Sequence, residues 1–179
     1  MSNFDECLKL ILHHEGGYVN HPKDPGGETN MGVTKRVYEK WCMENDLQQK
    51  DMKDLEFNDV APIYKENYWD RVKADQLPAG LDLCVFDWAV NSGTGRAAKK
   101  LQGMIGTTVD GGIGPNTLKA LNAYVQIEGL ESTIATYTDI RQNFYESLST
   151  FDTFGKGWTR RNQETEMEAF KMAGVYLPS

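Results

Sequence analysis

The sequence predicts a mainly α-helical fold with one small β-hairpin after the first helix. Apolar residues recur at helical spacing through most of the chain, and stretches rich in glycine and proline separate these segments. Strand and turn chemistry is confined to residues 18–33. The 179 residues are 40% hydrophobic and 25% charged, which is typical of a folded globular domain and unlike a disordered chain.

A regular apolar stripe predicts the first helix. The stripe follows the i, i+3, i+4, i+7 spacing of one helix face and consists of Phe4, Cys7, Leu8, Ile11 and Leu12. Gly16 and Gly17 end this helix, so that Glu15 lies in its last turn. A turn at 23–27, between extended residues at 18–20 and 29–33, then predicts the hairpin.

Later segments are predicted as helices from their spacing and their boundary residues. Thr34 is suited to capping the second helix, and Pro115, after a glycine-rich loop at 110–114, is suited to opening another. The remaining helices are expected at 58–69, 79–91, 96–104, 129–149 and 158–173. The segment 79–91 is apolar nearly all round, which is typical of a buried central helix.

The net charge of −7 argues against nucleic acid as a partner. Residues 1–95 contain ten basic and 17 acidic residues, whereas residues 96–179 contain nine of each. This asymmetry is consistent either with two functional regions or with chance.

The cysteines and the first residues indicate that the chain has neither disulfides nor a signal peptide. Cys7, Cys42 and Cys84 are far apart and odd in number, so we expect buried thiols rather than disulfides or a zinc site. The first residues lack the basic stretch and apolar run of a signal peptide, and no apolar segment is long enough to span a membrane. We therefore expect synthesis in the cytoplasm without a signal peptide. We also expect the protein to be a monomer.

Glu15 is the strongest candidate for catalysis. The negative end of the helix dipole disfavours a second negative charge, which suits a group that must hold a proton as a general acid. The two glycines after it let a bulky ligand approach the backbone. A surface glutamate at a fraying helix end is the alternative interpretation.

Asp24 and Thr29 follow on the predicted hairpin, where they could enclose one cleft with Glu15. An acid and a second carboxylate on either side of a glycosidic oxygen are the minimum groups for glycoside hydrolysis. Asp24 precedes Pro25 and Gly26, however, and such a residue commonly forms an Asx-turn without a catalytic role.

The stretch from Glu15 to Thr34 resembles the signature of glycoside hydrolase family 108, which contains phage-type N-acetylmuramidases that cleave peptidoglycan. The family pattern is roughly E-G-G-Y-x-N-D-P-x-D-P-G-G-x-T-x-x-G-[IV]-T, and this chain reads EGGYVNHPKDPGGETNMGVT over the same positions. Pieces at 68–69, 77–80 and 86–93 agree as well. The resemblance implies a lysozyme-like helical fold in which Glu15 matches the catalytic glutamate.

One departure from the family pattern concerns the second carboxylate. His21 stands where the family usually has Asp, which leaves Asp24 as the better partner for Glu15. Eight residues separate Glu15 from Asp24, and four separate Asp24 from Thr29. Phage lysozymes with a Glu–Asp–Thr set have the same first spacing but five residues between the Asp and the Thr. The resemblance thus implies that Glu15 is the catalytic glutamate, and the Glu–Asp–Thr spacing indicates Asp24 and Thr29 as its partners. Asp87, on the central apolar segment, is the reserve candidate for the second carboxylate.

Residues 96–175 resemble the predicted peptidoglycan-binding region that accompanies this family. The resemblance rests on residues 109–117, with the pattern Asp-Gly-x-x-Gly-Pro, and on residues 155–162. We therefore predict a lysozyme-like catalytic region at 1–95 and a helical peptidoglycan-binding region at 96–179. No long linker divides them, so we expect them to pack as one globule. The loop at 110–115 is also an ordinary helix start that needs no ligand.

Four further residues are candidates for substrate binding, namely Tyr18, Trp69, Asp87 and Asn91. Tyr18 and Trp69, like Trp158, have rings that can stack on sugar faces, although aromatic residues are more often part of a core. Asp87 and Asn91 lie four residues apart on the central apolar segment. They either face the cleft or are satisfied by internal hydrogen bonds.

The three histidines, His13, His14 and His21, all lie close to Glu15 and raise the question of a zinc peptidase. Adjacent residues on a helix point about 100° apart. The helical zinc motif instead needs two histidines four residues apart on one face. We therefore predict that the protein uses no metal and no cofactor.

Together these features predict an endolysin-like hydrolase that cleaves the β-1,4 bond between N-acetylmuramic acid and N-acetylglucosamine in the glycan strands of the cell wall. Glu15 protonates the leaving oxygen, and Asp24, with Thr29, stabilises the oxocarbenium-like transition state or activates water. The alternatives are a lytic transglycosylase and a non-catalytic peptidoglycan-binding or secretion-accessory protein. Retention or inversion at the anomeric carbon stays open, as does phage or bacterial origin.

Overall fold

The computed structural model describes residues 2–23 and 26–175. It confirms a mainly α-helical protein with a small sheet directly after the first helix. The sheet has three strands in the described residues rather than the two of a hairpin, because the segment 29–33 itself contains a turn. Contacts divide the chain into two compact units, which we call the N-terminal unit (residues 4–67) and the C-terminal unit (residues 2–3 and 68–175).

The N-terminal unit combines helices with the antiparallel sheet, in the order β1-β2-β3. Its elements are α1 (Phe4–Glu15), β1 (Val19–Asn20), β2 (Glu28–Asn30), β3 (Val33–Thr34), α2 (Lys35–Glu44), a 3-10 turn (Met52–Asp54) and α3 (Phe57–Tyr64). Thr34 caps α2 as predicted, since its hydroxyl accepts a hydrogen bond from the Val37 N–H at 3.3 Å. A capping box of Glu56 and Asp59 begins α3 at Phe57, one residue before the predicted start. A π-helical turn, Lys65–Trp69, follows α3.

The C-terminal unit is helical throughout its described residues. After a 3-10 turn (Ala74–Gln76) it contains α4 (Leu81–Ser92), α5 (Thr94–Ile105), α6 (Pro115–Glu128), α7 (Leu130–Glu146) and α8 (Phe151–Met172). The α4 helix is buried along most of its length, as its composition predicts. Burial raises the pKa of the Cys84 thiol on α4 to about 12. None of the described helices combines the length and the apolar character that crossing a bilayer requires.

The last helix begins at Phe151, earlier than the predicted residue 158. Gly155 and Gly157 lie inside this helix. A methyl group on Gly155 would lie 2.5 Å from the ring of Phe151, one turn before it. Gly155 therefore makes room for that ring inside a continuous helix, and it does not mark a helix end.

Gln102 on α5 fixes the glycine-rich loop before α6. Its side chain is fully buried, and its amide nitrogen donates to Asp110 Oδ1 at 2.9 Å and to the carbonyl oxygen of Gly112 at 3.0 Å. Its amide oxygen accepts from the N–H groups of Asp110 and Gly111 at 3.0 and 2.8 Å. The Gly112 amide and the Gln102 side chain together lower the pKa of Asp110. These hydrogen bonds to Gln102 fix the conformation of the loop without a ligand.

Gln102→Leu is expected to lower the free energy of unfolding by about 2–3 kcal/mol, because several part-buried loop groups lose their hydrogen bonds to Gln102 while side-chain volume is kept. Chemical denaturation followed by circular dichroism measures this loss. Gln126→Leu, at an exposed position on α6, is the control and should change stability by less than about 0.5 kcal/mol. Equal stability of the two variants would contradict the role given to Gln102.

Candidate active site

Glu15 ends α1 and lies half-buried against the turn between β2 and β3. Met31 and Gly32 form this turn, with φ angles of 50° and 76°, as a two-residue type I′ hairpin turn requires. A methyl group on Gly32 would lie 3.0 Å from Glu15 Oε2 and 3.2 Å from Glu15 Cβ. The absence of a side chain at Gly32 therefore lets the backbone contact the Glu15 side chain directly.

Tyr64, at the end of α3, holds the same turn. Its hydroxyl donates to the carbonyl oxygen of Met31 at 2.7 Å, and its side chain is almost completely buried. A methyl group on Gly32 would lie only 2.5 Å from the Tyr64 hydroxyl oxygen. The turn is thus in contact with both Tyr64 and Glu15 inside the N-terminal unit.

Tyr18, a predicted substrate contact, is half-buried and linked to the sheet by Glu28. Its hydroxyl donates to Glu28 Oε1 at 2.7 Å, and Lys35 Nζ lies 3.0 Å from Glu28 Oε2. This hydrogen bond to Glu28 raises the pKa of Tyr18, while the hydrogen bonds from Tyr18 and Lys35 lower the pKa of Glu28. Lys53 Nζ lies 5.5 Å from the centroid of the Tyr18 ring. Both lysines are separated from Tyr18 in the sequence by more than 15 residues, and no local pattern connects them with it.

Thr29 lies half-buried in the middle strand, opposite Val19 on one side and Thr34 on the other. The next residue, Asn30, is buried, and its side-chain amide donates to the carbonyl oxygen of Met52 at 2.7 Å. This contact anchors the strand that leads into the Gly32 turn. Asp24 lies outside the described residues, so its catalytic role stays a prediction.

Asp87, predicted as a substrate contact and reserve carboxylate, is buried in the C-terminal unit between two arginines. Its Oδ2 lies 2.7 Å from Arg141 Nη1, and its Oδ1 lies 3.0 Å from Arg161 Nη2. Burial opposes ionisation of Asp87, but the charges of Arg141 and Arg161 outweigh it, so that the pKa of Asp87 lies below its ordinary value. Because both oxygens are engaged inside the protein, the structure favours a structural role for this carboxylate.

Asn91 and Trp69, the other two predicted substrate contacts, are also held by internal contacts in the C-terminal unit. Asn91 Oδ1 accepts a hydrogen bond from the hydroxyl of Tyr145. Trp69 is fully buried, its Nε1 donates to Asp75 Oδ1 at 2.9 Å, and its ring meets the ring of Phe86 edge-on. A ring in this position has no face open to a sugar, so the structure does not support Trp69 as a substrate contact.

The histidines near Glu15 do not assemble a metal site in the described part of the chain. His13 and His14 lie in the last turn of α1, where their rings meet edge-on with centroids 5.6 Å apart. Among the described residues, no three His, Cys, Asp or Glu side chains are placed to hold one metal ion. The zinc peptidase interpretation therefore gains no support from their arrangement.

Four aromatic side chains form a row in the C-terminal unit, and only one of them, Trp158, was predicted from the sequence as a ring that can stack on a sugar. Successive ring centroids are 5.9 Å apart for Phe144 and Tyr145, 5.2 Å for Tyr145 and Trp158, and 5.7 Å for Trp158 and Phe154. The guanidinium of Arg96 lies 4.4 Å from the centroid of the Phe144 ring. Phe154, at the other end, is 54% exposed. We call these four side chains the aromatic row.

Comparison with known proteins places this chain in a family. Residues 8–93 match the family model described as glycosyl hydrolase 108, and residues 96–163 match one described as a predicted peptidoglycan domain. Among solved structures, a chain in the structure of Brucella abortus SagA is 38% identical with a TM-score of 0.77, over 96% of this chain and 95% of that chain. The chain belongs to the glycosyl hydrolase 108 family. A search of the curated proteins found no match.

Membership of the glycosyl hydrolase 108 family confirms the resemblance carried by residues 15–34 and the lysozyme-like helical fold class. The two matches together support a glycoside hydrolase that acts on peptidoglycan. Glu15, with the Gly32 turn and Tyr64, falls in the hydrolase match. The aromatic row falls in the peptidoglycan match.

Proposed function

We propose that this protein hydrolyses the β-1,4 bond between N-acetylmuramic acid and N-acetylglucosamine, with Glu15 as the general acid. The observation that supports the proposal is the position of Glu15, half-buried at the end of α1 and in contact with the Gly32 turn, inside the hydrolase match. A carboxyl group packed against a backbone turn keeps a constant direction. A proton donor needs this, because it must reach one particular oxygen of the substrate.

In the proposed reaction, Glu15 donates its proton to the glycosidic oxygen as that oxygen leaves C1 of the muramic acid. Water supplies a hydroxyl group to C1. We assign the assistance of this step to Asp24 with Thr29. If Asp24 activates the water, the remaining proton of the water passes to Asp24; if Asp24 and Thr29 only stabilise the oxocarbenium-like transition state, that proton returns to the Glu15 carboxylate. Thr29 belongs to β2, the strand that leads directly into the Gly32 turn. The products are a reducing end on muramic acid and a free 4-hydroxyl on glucosamine.

Product analysis tests the bond assignment. Purified peptidoglycan is digested, reduced with borohydride and analysed by mass spectrometry, and reduced muramic acid at the new ends is the expected result. Reduced glucosamine would move the cut to the other glycosidic bond. Anhydro-muramic ends would identify a lytic transglycosylase, and binding without any new ends would identify an accessory protein; each of these results overturns the proposal.

We assign glycan binding in the C-terminal unit to the aromatic row, in which Tyr145 is buried and Phe154 is exposed. Sugar rings have apolar C–H faces that stack on aromatic rings, and the stem peptides of peptidoglycan carry carboxylates that a cation attracts. Phe154 offers an exposed ring at one end of the row, and Arg96 offers a guanidinium at the other. The assignment is supported by the match of residues 96–163 to a predicted peptidoglycan domain.

Phe154→Ala is expected to weaken binding to insoluble peptidoglycan about five- to tenfold, because one aromatic stacking partner is worth about 1 kcal/mol. Co-sedimentation with purified peptidoglycan measures the affinity. Ile127→Ala on α6 is the control, since Ile127 is an exposed apolar side chain, 81% accessible, of the same unit. Equal affinities of wild type and Phe154→Ala would remove the aromatic row from glycan binding.

A further inference from the structure

The turn between β2 and β3 lies between two side chains of different kinds. One is Glu15, the proposed general acid, and the other is Tyr64, a buried tyrosine from a different helix. We infer that Tyr64 is a positioning residue for Glu15, because it fixes the Met31–Gly32 turn that sets the direction of the Glu15 carboxyl group. This inference rests on the proposed function, in which Glu15 donates the proton.

Tyr64 holds the turn through a hydrogen bond to its backbone. Its hydroxyl donates to the carbonyl oxygen of Met31 at 2.7 Å, and the side chain is only 2% exposed. If the Tyr64 hydroxyl were removed, the part-buried carbonyl oxygen of Met31 would lose its hydrogen-bond donor, and this loss costs free energy. Met31 is itself held at a positive φ of 50°, which non-glycine residues rarely adopt. The hydrogen bond from Tyr64 therefore helps to keep the turn in a conformation that Met31 alone would not favour.

Gly32, in the same turn, lies directly against the Glu15 side chain. A methyl group on Gly32 would lie within 3.2 Å of both the Cβ and the Oε2 atoms of Glu15. The Gly32 backbone thus packs along the Glu15 side chain from its root to its carboxyl group. A glutamate side chain in water samples many rotamers, and packing on one side removes part of that freedom. A shift of the turn would consequently shift the carboxyl group, and misplacement by about 1 Å can reduce turnover about 100-fold.

The position of Tyr64 in the chain fits this role. It is the last residue of α3, and the helix changes into a π-helical turn at the next residue, Lys65. Single π-helical turns change the direction in which a helix presents its side chains and are frequent at functional sites.

Tyr64→Phe tests the inference kinetically. On soluble peptidoglycan fragments of defined length we expect kcat to fall about 10- to 100-fold while KM stays within about twofold, because binding groups are unchanged and only the acid is displaced. Tyr38→Phe is the matched control: Tyr38 is buried in the same unit, and its hydroxyl accepts one backbone hydrogen bond, from Lys50 at 3.0 Å. Wild-type kcat in Tyr64→Phe, or an equal loss in Tyr38→Phe, overturns the inference.

Gly32→Ala provides a second test that does not depend on the stability of Tyr64→Phe. The new methyl group would meet both Glu15 and Tyr64, so we expect kcat to fall at least as far. Gly106→Ala is the control, because Gly106 has the same φ of 76° but no atom within 4 Å of the new methyl group. It should show the strain of a positive φ without a loss of kcat.

A double-mutant cycle of unfolding midpoints tests the contact between Gly32 and Tyr64 without an activity measurement. Gly32→Ala should lower the unfolding midpoint by roughly 4 °C more than Gly106→Ala does. This excess should shrink in the Tyr64→Phe background, because the hydroxyl that lies 2.5 Å from the new methyl group is gone. Strictly additive effects would contradict the contact. Wild-type activity in Glu15→Gln would instead refute the proposed function, and the unfolding cycle would still report on the turn.

Discussion

Replacing Glu15 by glutamine is expected to abolish hydrolysis while the protein remains folded. Glutamine keeps the shape of the side chain and its contact with the Gly32 turn but has no proton to donate at neutral pH. A positioned general acid contributes about 10²- to 10⁴-fold to a rate. We therefore expect kcat on purified peptidoglycan to fall by at least about 100-fold in Glu15→Gln, whereas co-sedimentation with the polymer should be unchanged.

The control for this experiment lies on the same helix. Glu6→Gln removes an exposed carboxylate from the first turn of α1, and it should retain wild-type turnover. Unfolding midpoints of both variants show whether any loss of activity comes from a loss of structure. Residual activity of Glu15→Gln within a few-fold of wild type would exclude Glu15 as the acid, even if the product ends were those of a muramidase.

Local patterns predicted the elements of this fold well where one chemical cause dominates. The apolar stripe of α1 and the glycines after it predicted that Glu15 ends the helix. Thr34 was identified as a cap because its hydroxyl can accept an N–H bond of the first turn. The start of α8 was predicted too late: Gly155 lies inside the helix, and a glycine that makes room for the Phe151 ring is indistinguishable in sequence from one that ends a helix.

The surroundings of Glu15 required tertiary information. Tyr64 is 49 residues away from Glu15 along the chain, and it reaches the turn only because α3 ends beside it. No local pattern distinguishes this tyrosine from a core residue. Gly32 did carry a signal, since it occupies the last glycine of the family pattern, but its contact with Glu15 becomes visible only when the sheet is folded.

Asp87 shows the same limit in the C-terminal unit. A carboxylate on an otherwise apolar helix predicted either a cleft or an internal partner, and the sequence left both open. The partners are Arg141 on α7 and Arg161 on α8, which are 54 and 74 residues away in the chain. Such long separations leave no periodic trace in a sequence, so only the packing of three helices decides between the two interpretations.

Asp87→Asn is expected to be among the most destabilising single substitutions in this chain. Arg141 has a side chain only 2% exposed and would keep its charge without the carboxylate that compensates it, whereas Arg161, at 13%, lies closer to solvent. Removing one partner of a buried ion pair costs about 3–5 kcal/mol. For a chain of this length that corresponds to a fall of roughly 6–15 °C in the unfolding midpoint.

Asp139→Asn, which removes an exposed carboxylate from α7, is the matched control and should leave the midpoint within about 2 °C.

The pH dependence of stability provides an independent check that the negative charge of Asp87 is stabilising. The folded pKa of Asp87 lies below its unfolded value of about 3.9, so its charge stabilises the protein above that pH and the contribution is lost as pH falls through the folded pKa. The gap between wild type and Asp87→Asn should therefore be full at pH 7 and narrow below about pH 4. A gap independent of acid would mean that the substitution acts through packing and not through the charge of Asp87.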